Sequence, residues 1–161
     1  MAELELAEYD PAWAERFEVE AALIEGAFGE AARQIEHVGS TSVPGLAGKP
    51  IVDIAVGVDR LDVVSLYVGP MTTGGFVYQP DEDRPWERRF VKGDRFPREV
   101  IVHVVEWQGR KWHDFIRFRD ALRQDQSLAA EYENLKRHLL ARGRWYRGVD
   151  KQDLIDKVLA G

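Results

Sequence analysis

Two segments that we predict as strands, 32–38 and 51–58, flank a loop of glycine, proline and hydroxyl residues, and this arrangement constrains the fold more than any other feature. Segment 51–58 is an almost unbroken run of Ile, Val and Ala without strict alternation, which predicts a central strand covered by helices on both faces. Its one ionisable residue is Asp53. Because a buried carboxylate is costly unless a cation or a hydrogen-bond donor meets it, Asp53 is a candidate site residue.

The rest of the chain alternates between helical and strand patterns. We predict helices at 11–29 and 60–73, and strands at 76–79, 87–92 and 99–106. From Lys111 onward the apolar spacing becomes helical, and a last helix is predicted at 149–159. The pattern predicts a single α/β (α+β) domain over residues 1–161, with a mixed sheet of about five strands, flanking helices and a helical C-terminal third.

Composition excludes several classes of protein. The 161 residues suffice for one sizeable core, and no window approaches the apolar length of a membrane helix. The acidic N-terminus lacks the basic segment of a secretory signal, and a chain without cysteine forms no disulfide or thiolate metal site. The net charge of -6 argues against nucleic-acid binding. We therefore expect a cytoplasmic protein with no membrane association.

The charge is unevenly distributed. Residues 1–30 contain nine acidic residues and one basic residue, whereas residues 107–151 contain eleven Lys and Arg against six Asp and Glu. One interpretation is two solvated helical faces that oppose each other, and the other is a basic wall for a phosphorylated ligand. The basic candidates for anion contacts are Arg117, Arg119, Lys136, Arg144 and Lys151.

The loop 39–50 does not fit a P-loop, because Lys49 is followed by a proline and a strand rather than by a hydroxyl residue and a helix. A better template places Gly39 and Ser40 at the end of one strand and Asp53 on the next. Glycine lets a phosphate approach the backbone, and the hydroxyl and amide groups bind it. The expected phosphate-binding residues are Gly39, Ser40, Thr41, Ser42 and Lys49.

On this template Asp53 holds a divalent cation that bridges the phosphates, and it is the expected catalytic residue. His37 and His103 are the candidate additional ligands, and the cation would be Mg²⁺ or Mn²⁺, with imidazole favouring Mn²⁺ or Zn²⁺ over Mg²⁺.

Each group also has a structural interpretation. Asp53 could accept hydrogen bonds from the loop amides or pair with Lys49 or His37, and both histidines could be satisfied residues near the sheet. The hydroxyl groups of residues 40–42 could only form the turn. Four tryptophans could stack on a base or only pack: Trp86, Trp107, Trp112 and Trp145.

The run from His37 to Ile54, together with Tyr9–Trp13 and the helical segments 118–122 and 132–136, resembles the signature of the GrpB family, also named UPF0157. The resemblance covers nearly the whole chain and implies a nucleotidyltransferase-like fold. It maps Gly39 and Ser40 onto the phosphate-contacting pair of that superfamily and Asp53 onto its first metal carboxylate. Ala55 stands where the second carboxylate is expected.

The third carboxylate of the superfamily would come from strand 99–106, where His103 and Glu106 are the polar candidates. The two lie on opposite faces of a regular strand, so only one can face Asp53. One aspartate and one histidine make a weak magnesium site, and the loss of a carboxylate at Ala55 argues against ordinary nucleotidyl transfer.

Two functions are expected from these features. The first is binding of a nucleotide or phosphorylated small molecule, with metal-dependent nucleotidyl or phosphoryl transfer if the site is catalytic. The alternative is a catalytically degenerate module for binding or folding assistance. The family also occurs fused to dephospho-CoA kinase, which makes that kinase the expected partner of the alternative.

Overall fold

The computed structural model describes residues 6–93, 98–142 and 152–160. The strands are β1 (Gln34–Val38), β2 (Val52–Val58), β3 (Val77–Tyr78), β4 (Arg88–Lys92) and β5 (Val100–Glu106). The α-helices are α1 (Ala12–Phe28), α2 (Val68–Thr73), α3 (Arg110–Gln124), α4 (Gln126–Ala141) and α5 (Gln152–Ala160).

The predicted elements are present, with two differences. The segment 60–73 is a 3₁₀ helix, Leu61–Tyr67, followed by the short α2, rather than one α-helix. The start of the last predicted helix, 149–151, lies outside the described residues.

The five strands form one mixed sheet in the order β1-β2-β5-β4-β3. β2 and β5 run parallel, and the other neighbouring pairs are antiparallel. β2 is therefore an interior strand. The predicted α/β class with a mixed five-stranded sheet and a helical C-terminal third is confirmed.

Each face of β2 is buried under helices, which explains its lack of alternation. One face carries Ile54 and Val56 in the main core beneath α1 and α2. The other face carries Asp53 and Ala55, and there Ala55 packs with Trp112 of α3. Helices therefore cover both faces, and the α3 side is the one on which Asp53 lies.

The acidic α1 is tied to the sheet by one buried carboxylate. Glu20, with 3% of its side chain exposed, lies 2.6 Å from both Arg16 Nε and Lys92 Nζ. An ion pair joins the acidic N-terminal region to the basic C-terminal helices, with the Glu8 and Arg137 side chains 2.9 Å apart. Glu20 is thus neutralised by Arg16 of α1 and Lys92 of β4 rather than by the C-terminal helices.

The C-terminal helices pack directly onto the loop that follows β1. Val43 and Leu46 of the loop form a buried cluster with Leu122 of α3 and Tyr132 of α4. This packing places the polar residues of α4 beside the glycine-rich loop. None of the described helices is long and apolar enough to span a membrane.

The tryptophans have different environments. Trp112 is buried in the cluster beneath α3, and Trp107 packs against Gly57, where an added Cβ would lie 2.8 Å from its ring. Trp86 is exposed, with Lys111 Nζ 5.3 Å from its ring centroid. Trp145 lies outside the described residues.

Candidate functional site

A glycine turn at the end of β1 brings the loop backbone against Asp53. Gly39 has φ 74° and ψ -176°, a conformation that is essentially restricted to glycine. A Cβ at this position would lie 2.6 Å from Asp53 Oδ2. Glycine is therefore required at position 39 by both the backbone conformation and the available space.

The three hydroxyl residues after Gly39 divide into two roles. Ser42 Oγ donates to the Gly39 carbonyl at 2.5 Å, and Thr41 Oγ1 lies 2.9 Å from His37 Nε2. Both side chains are buried and satisfied inside the turn, as the structural interpretation predicts. Ser40 is partly exposed and is the hydroxyl residue that can reach a ligand.

Ser40 contacts a buried lysine on α4. Lys136 Nζ lies 3.0 Å from Ser40 Oγ and donates to the Ala47 carbonyl oxygen at 2.6 Å. The lysine side chain is fully buried, and its Nζ lies 4.7 Å from the centroid of the Tyr132 ring. The Tyr132 hydroxyl also hydrogen-bonds Ser40, and burial raises the pKa of this phenol.

Gly48 permits this close packing. A Cβ there would lie 2.8 Å from Ser40 Cβ and 3.3 Å from Lys136 Nζ. The loop therefore places a glycine next to each end of the site, Gly39 beside Asp53 and Gly48 beside Ser40.

Side chains of α3 and α4 hold the loop backbone at several points. Arg119 donates to the His37 carbonyl oxygen at 3.1 Å, and Arg123 Nε donates to that of Ser42 at 2.9 Å. Glu133 Oε1 accepts from the Ala47 amide at 2.9 Å. The conformation of the loop therefore depends on the packing of the C-terminal helices.

Two of the residues predicted as basic anion contacts are thus engaged with protein groups, Arg119 with the end of β1 and Lys136 with the loop. Arg119 also pairs with Glu36 and Asp120, and Arg117 donates to the Leu159 carbonyl oxygen. Arg144 and Lys151 lie outside the described residues. Lys49 is half-buried at the end of the loop, and its carbonyl accepts from the Ile51 amide at 2.7 Å.

Asp53 belongs to a row of alternating charges across β2, β5 and β4. His103 Nε2 donates to Asp53 Oδ1 at 3.0 Å. On its other side, His103 Nδ1 lies 3.2 Å from Glu87 Oε2, an ion-pair contact without hydrogen-bond geometry. Glu87 in turn pairs with Arg89 at 2.7 Å.

These contacts set the charges in the row. Burial opposes the charged form of His103, but its hydrogen bond to Asp53 and its contact with Glu87 outweigh burial and raise its pKa to about 9. Burial also disfavours the charged form of Glu87, but the neighbouring cations of His103 and Arg89 outweigh burial and lower the pKa of the Glu87 carboxyl to about 2. Asp53, with 27% of its side chain exposed, is thus a carboxylate balanced by an imidazolium behind it.

The predicted metal ligands do not converge. His103 shares the face of Asp53 but already uses Nε2 to donate to it. His37 lies on the opposite face, where its ring stacks on Phe17 at a centroid distance of 4.9 Å and burial lowers its pKa to about 4. Ala55 is fully buried in an apolar cluster.

Among the described residues, no group of three or more His, Asp, Glu or Cys side chains is arranged to hold a metal ion. A protonated imidazole offers no lone pair to a cation, so the donor set at Asp53 does not fit a divalent cation well. The metal prediction therefore stays a prediction.

Two cavities lie near the loop and near α1. The first, about 780 Å³, is lined by the outer side of loop 43–46 and by α3 and α4, and the second, about 460 Å³, lies between α1 and Pro50. Neither set of lining residues includes Ser40 or Asp53. The site at Asp53 is thus distinct from both cavities.

The sequence predicted Gly39, Ser40 and Asp53 as site residues, but it named Lys136 only as one of five possible anion contacts and His103 only as a possible metal ligand, and it did not predict Glu87. Lys136 occupies a core position of α4, four residues after Tyr132 and three before Leu139. A lysine inside an apolar helical stripe is the same kind of signal as an aspartate inside an apolar strand. Glu87 had no such signal, because it stands just before its strand among other charged residues.

The family model for GrpB protein matches residues 3–160 of the chain. The chain belongs to the GrpB family. The UPF0157 protein of Streptomyces coelicolor is 41% identical over 138 residues, covering 85% of this chain and 70% of that protein. The UPF0157 protein of Halalkalibacterium halodurans is 38% identical over 144 residues, covering 89% of this chain and 72% of that protein.

The fold of this GrpB family member is also similar to that of a solved structure. The conserved protein GrpB from Enterococcus faecalis superimposes with a TM-score of 0.85 at 32% identity, covering 96% of this chain and 94% of that one. A protein named dephospho-CoA kinase, from Mycolicibacterium paratuberculosis, is 27% identical over 154 residues, but the match covers only 37% of its length. The family resemblance is confirmed.

Proposed function

We propose that this GrpB family member binds a phosphorylated small molecule of the nucleotide class at the mouth formed by Gly39, Ser40 and Asp53. The observation that carries the proposal is a glycine turn that lies against a partly exposed carboxylate, Asp53, and is followed at once by a partly exposed serine hydroxyl, Ser40. The serine would donate to a phosphate oxygen, and Asp53 would accept from a hydroxyl group of the ligand. The absence of cysteine supports a cytoplasmic location.

The electrostatics of the mouth support an anionic ligand. An isolated aspartate would repel a phosphate, but the imidazolium of His103 lies 3.0 Å from Asp53 and balances its charge. The turn at Gly39 has no side chain, so a phosphate can approach the backbone closely. The binding does not require a divalent cation on this reasoning.

Isothermal titration calorimetry with a panel of nucleoside mono-, di- and triphosphates and inorganic phosphate tests the proposal. Each titration is done without metal and with Mg²⁺ or Mn²⁺. We expect Ser40→Ala to weaken binding at least tenfold, because the variant loses one hydrogen bond to a charged group, about 1.5–3 kcal/mol. Ser65→Ala, an exposed serine in the 3₁₀ helix 61–67, is the matched control and should bind as the wild type does.

Asp53→Asn tests the second half of the site. This variant keeps the size of the side chain and removes its charge, so it should alter both affinity and nucleotide preference. If neither Ser40→Ala nor Asp53→Asn changes binding, the assigned mouth is wrong. Metal-dependent nucleotidyl or phosphoryl transfer, which the family resemblance implies, would be supported if Mn²⁺ increases affinity in wild type but not in Asp53→Asn.

A second candidate function is a catalytically degenerate module that assists another protein. Two observations favour it: Asp53 is already satisfied by His103, and Ala55 is part of the apolar core. Dephospho-CoA kinase is the partner to test, because the family resemblance includes fusions to it. Co-purification and refolding of the kinase with and without this protein would decide. No association, together with nucleotide turnover by the isolated chain, would exclude this function.

A further inference from the structure

Ser40, Lys136 and Tyr132 form a cluster that is more than a phosphate contact. Lys136 Nζ lies 3.0 Å from Ser40 Oγ and 2.6 Å from the Ala47 carbonyl oxygen, and the Tyr132 hydroxyl hydrogen-bonds the same serine. Lys136 is fully buried, whereas Ser40 is partly exposed. The base-like group therefore lies behind the hydroxyl, and the hydroxyl lies between it and solvent.

A serine hydroxyl becomes a nucleophile when a neighbouring base accepts its proton, and lysine serves as that base in several unrelated enzymes. The lysine must be a neutral amine, and burial away from water disfavours the charged ammonium. A neutral amine keeps two N–H groups and one lone pair. In the structure Lys136 Nζ donates to both Ser40 Oγ, at 3.0 Å, and the Ala47 carbonyl oxygen, at 2.6 Å. In the neutral amine one N–H stays on the Ala47 carbonyl, and the lone pair accepts the proton of Ser40 over the same 3.0 Å contact.

The backbone around Ser40 presents the hydroxyl in the way that a nucleophile requires. Ser40 follows the last residue of β1 by one glycine and opens a 3₁₀ turn, so its side chain stands at a sharp strand-to-helix bend. Gly48 leaves the space in which Ser40 Cβ and Lys136 Nζ can approach each other. The two other hydroxyl groups of the turn are occupied by protein contacts.

We propose that Ser40 is a nucleophile that attacks phosphorus, with Lys136 as its general base and Tyr132 as a positioning residue. That the phosphorus belongs to a nucleotide rests on the function proposed above, whereas the activation of Ser40 does not. With a nucleoside triphosphate, Ser40 Oγ forms a bond to the α-phosphorus and the bond from that phosphorus to the bridging oxygen breaks. Pyrophosphate leaves with the bonding electrons, and the serine proton moves to Lys136 Nζ. The product is a nucleoside monophosphate ester of Ser40.

Labelling with a fluorophosphonate probe tests the activation of Ser40 without any nucleotide. The probe loses fluoride as its phosphorus bonds to an activated serine oxygen, and peptide mass spectrometry identifies the modified residue. We expect the folded wild type to be labelled at Ser40, and the urea-unfolded protein to be labelled no faster than free serine. Ser40→Ala should lose the adduct, and Ser65→Ala should retain it.

Lys136 is tested by two variants because it is buried. Lys136→Arg keeps donors for the Ala47 carbonyl but cannot accept a proton, and Lys136→Met removes both functions. For whichever variant retains the wild-type circular dichroism spectrum, the labelling rate should fall about 100-fold or more, the usual contribution of a general base. The control is Lys111→Met, which changes an exposed lysine and should label at the wild-type rate.

Tyr132 is tested by Tyr132→Phe, which keeps the ring in the apolar cluster and removes its hydroxyl. A positioning role predicts slower labelling with an unchanged pH profile, because the base remains Lys136. Loss of Lys136 should by contrast change the pH profile of labelling. An equal effect of both variants on the rate and none on the pH profile would mean that they act only on the shape of the loop, and would overturn the assignment of the base.

Three results overturn the proposal: no labelling of the folded wild type, labelling at a residue other than Ser40, or an undiminished rate in a folded Lys136 variant. The intact mass after incubation with nucleoside triphosphates then tests the substrate class, with the gain of one nucleoside monophosphate expected. Labelling without nucleotide binding would refute the proposed function alone. Nucleotide binding without labelling would refute the nucleophile alone.

Discussion

Four glycine-to-alanine substitutions separate backbone strain from crowding at the site. Gly39 combines a positive φ of 74° with an obstructing Asp53 Oδ2, 2.6 Å from the added Cβ. Gly45 has a positive φ of 84° but nothing within 4 Å, whereas Gly48 has no positive φ but would meet Ser40 Cβ at 2.8 Å. Gly26, in α1, has neither problem.

The expected changes in the free energy of unfolding follow from these two effects. Alanine in a positive-φ conformation costs roughly 1–3 kcal/mol, and forcing extra atoms into a packed site costs roughly 1–3 kcal/mol. The free energy of unfolding should therefore fall by roughly 1–3 kcal/mol in Gly45→Ala, from backbone strain, and in Gly48→Ala, from crowding. Gly39→Ala combines backbone strain and crowding, so its loss should be about 2–6 kcal/mol. Gly26→Ala should gain about 0.5–1 kcal/mol from its higher helix propensity.

Urea denaturation followed by circular dichroism measures all four variants on one scale. If the slope with urea is unchanged, a shift of the midpoint reports stability alone. Gly39→Ala should be the least stable variant, Gly45→Ala and Gly48→Ala should be less stable than wild type, and Gly26→Ala should be more stable than wild type. If Gly39→Ala is no less stable than Gly45→Ala, the close approach of Gly39 to Asp53 is wrong, and with it the geometry of the mouth.

Three further predictions concern buried ionisable groups. Burial lowers the pKa of His37 to about 4, so between pH 6.5 and 4 its imidazole binds a proton in the unfolded state but not in the folded state. The free energy of unfolding should therefore fall with falling pH, by up to about 3 kcal/mol. In urea titrations at pH 4.5 and 7, His37→Gln should reduce this difference. The pKa of His103 in the folded state is raised to about 9, so its contribution to the free energy of unfolding is complete below pH 6.5 and should be lost as the pH rises to 9. His103→Gln should therefore weaken the fall of the free energy of unfolding between pH 6.5 and 9. An unchanged pH dependence in this variant would contradict the charged imidazole. Glu20→Gln should lower the free energy of unfolding by about 1.5–3 kcal/mol, because the Glu20 carboxylate contacts two cationic side chains. The control Glu25→Gln changes an exposed carboxylate and should have little effect. Equal effects of the two variants would contradict the structural role of Glu20.

The fold and one half of the site could be predicted from the sequence because their signals are local. An apolar run interrupted by one carboxylate identified Asp53, and the β2 pattern correctly indicated burial on both faces. Alternation along β5 predicted that only one of His103 and Glu106 faces Asp53, and the structure places His103 there while Glu106 is exposed at the strand end.

The other half of the site depends on tertiary packing that local patterns do not encode. Lys136 was one of several basic residues on a predicted helix, and its position in the apolar stripe of α4 indicated burial but not which group its amine would contact. Only the docking of α4 against the loop, through Val43, Leu46 and Tyr132, brings its amine to Ser40. The partner of His103 was missed for the same reason, because Glu87 reaches it across neighbouring strands rather than along the chain.

Ala55 explains why the site is arranged around the loop rather than around a pair of carboxylates. Its side chain is fully buried against Val38, Val105 and Trp112, beneath α3. A carboxylate at this position would displace these apolar contacts and lose its hydration, both of which cost free energy. The packing of α3 therefore covers the face of β2 beyond Asp53, and the accessible part of the candidate site lies at the edge where β1 ends. That edge is where Ser40 and Lys136 meet, so the proposed reactivity depends on a loop hydroxyl supported by a helix rather than on a cation held by the sheet.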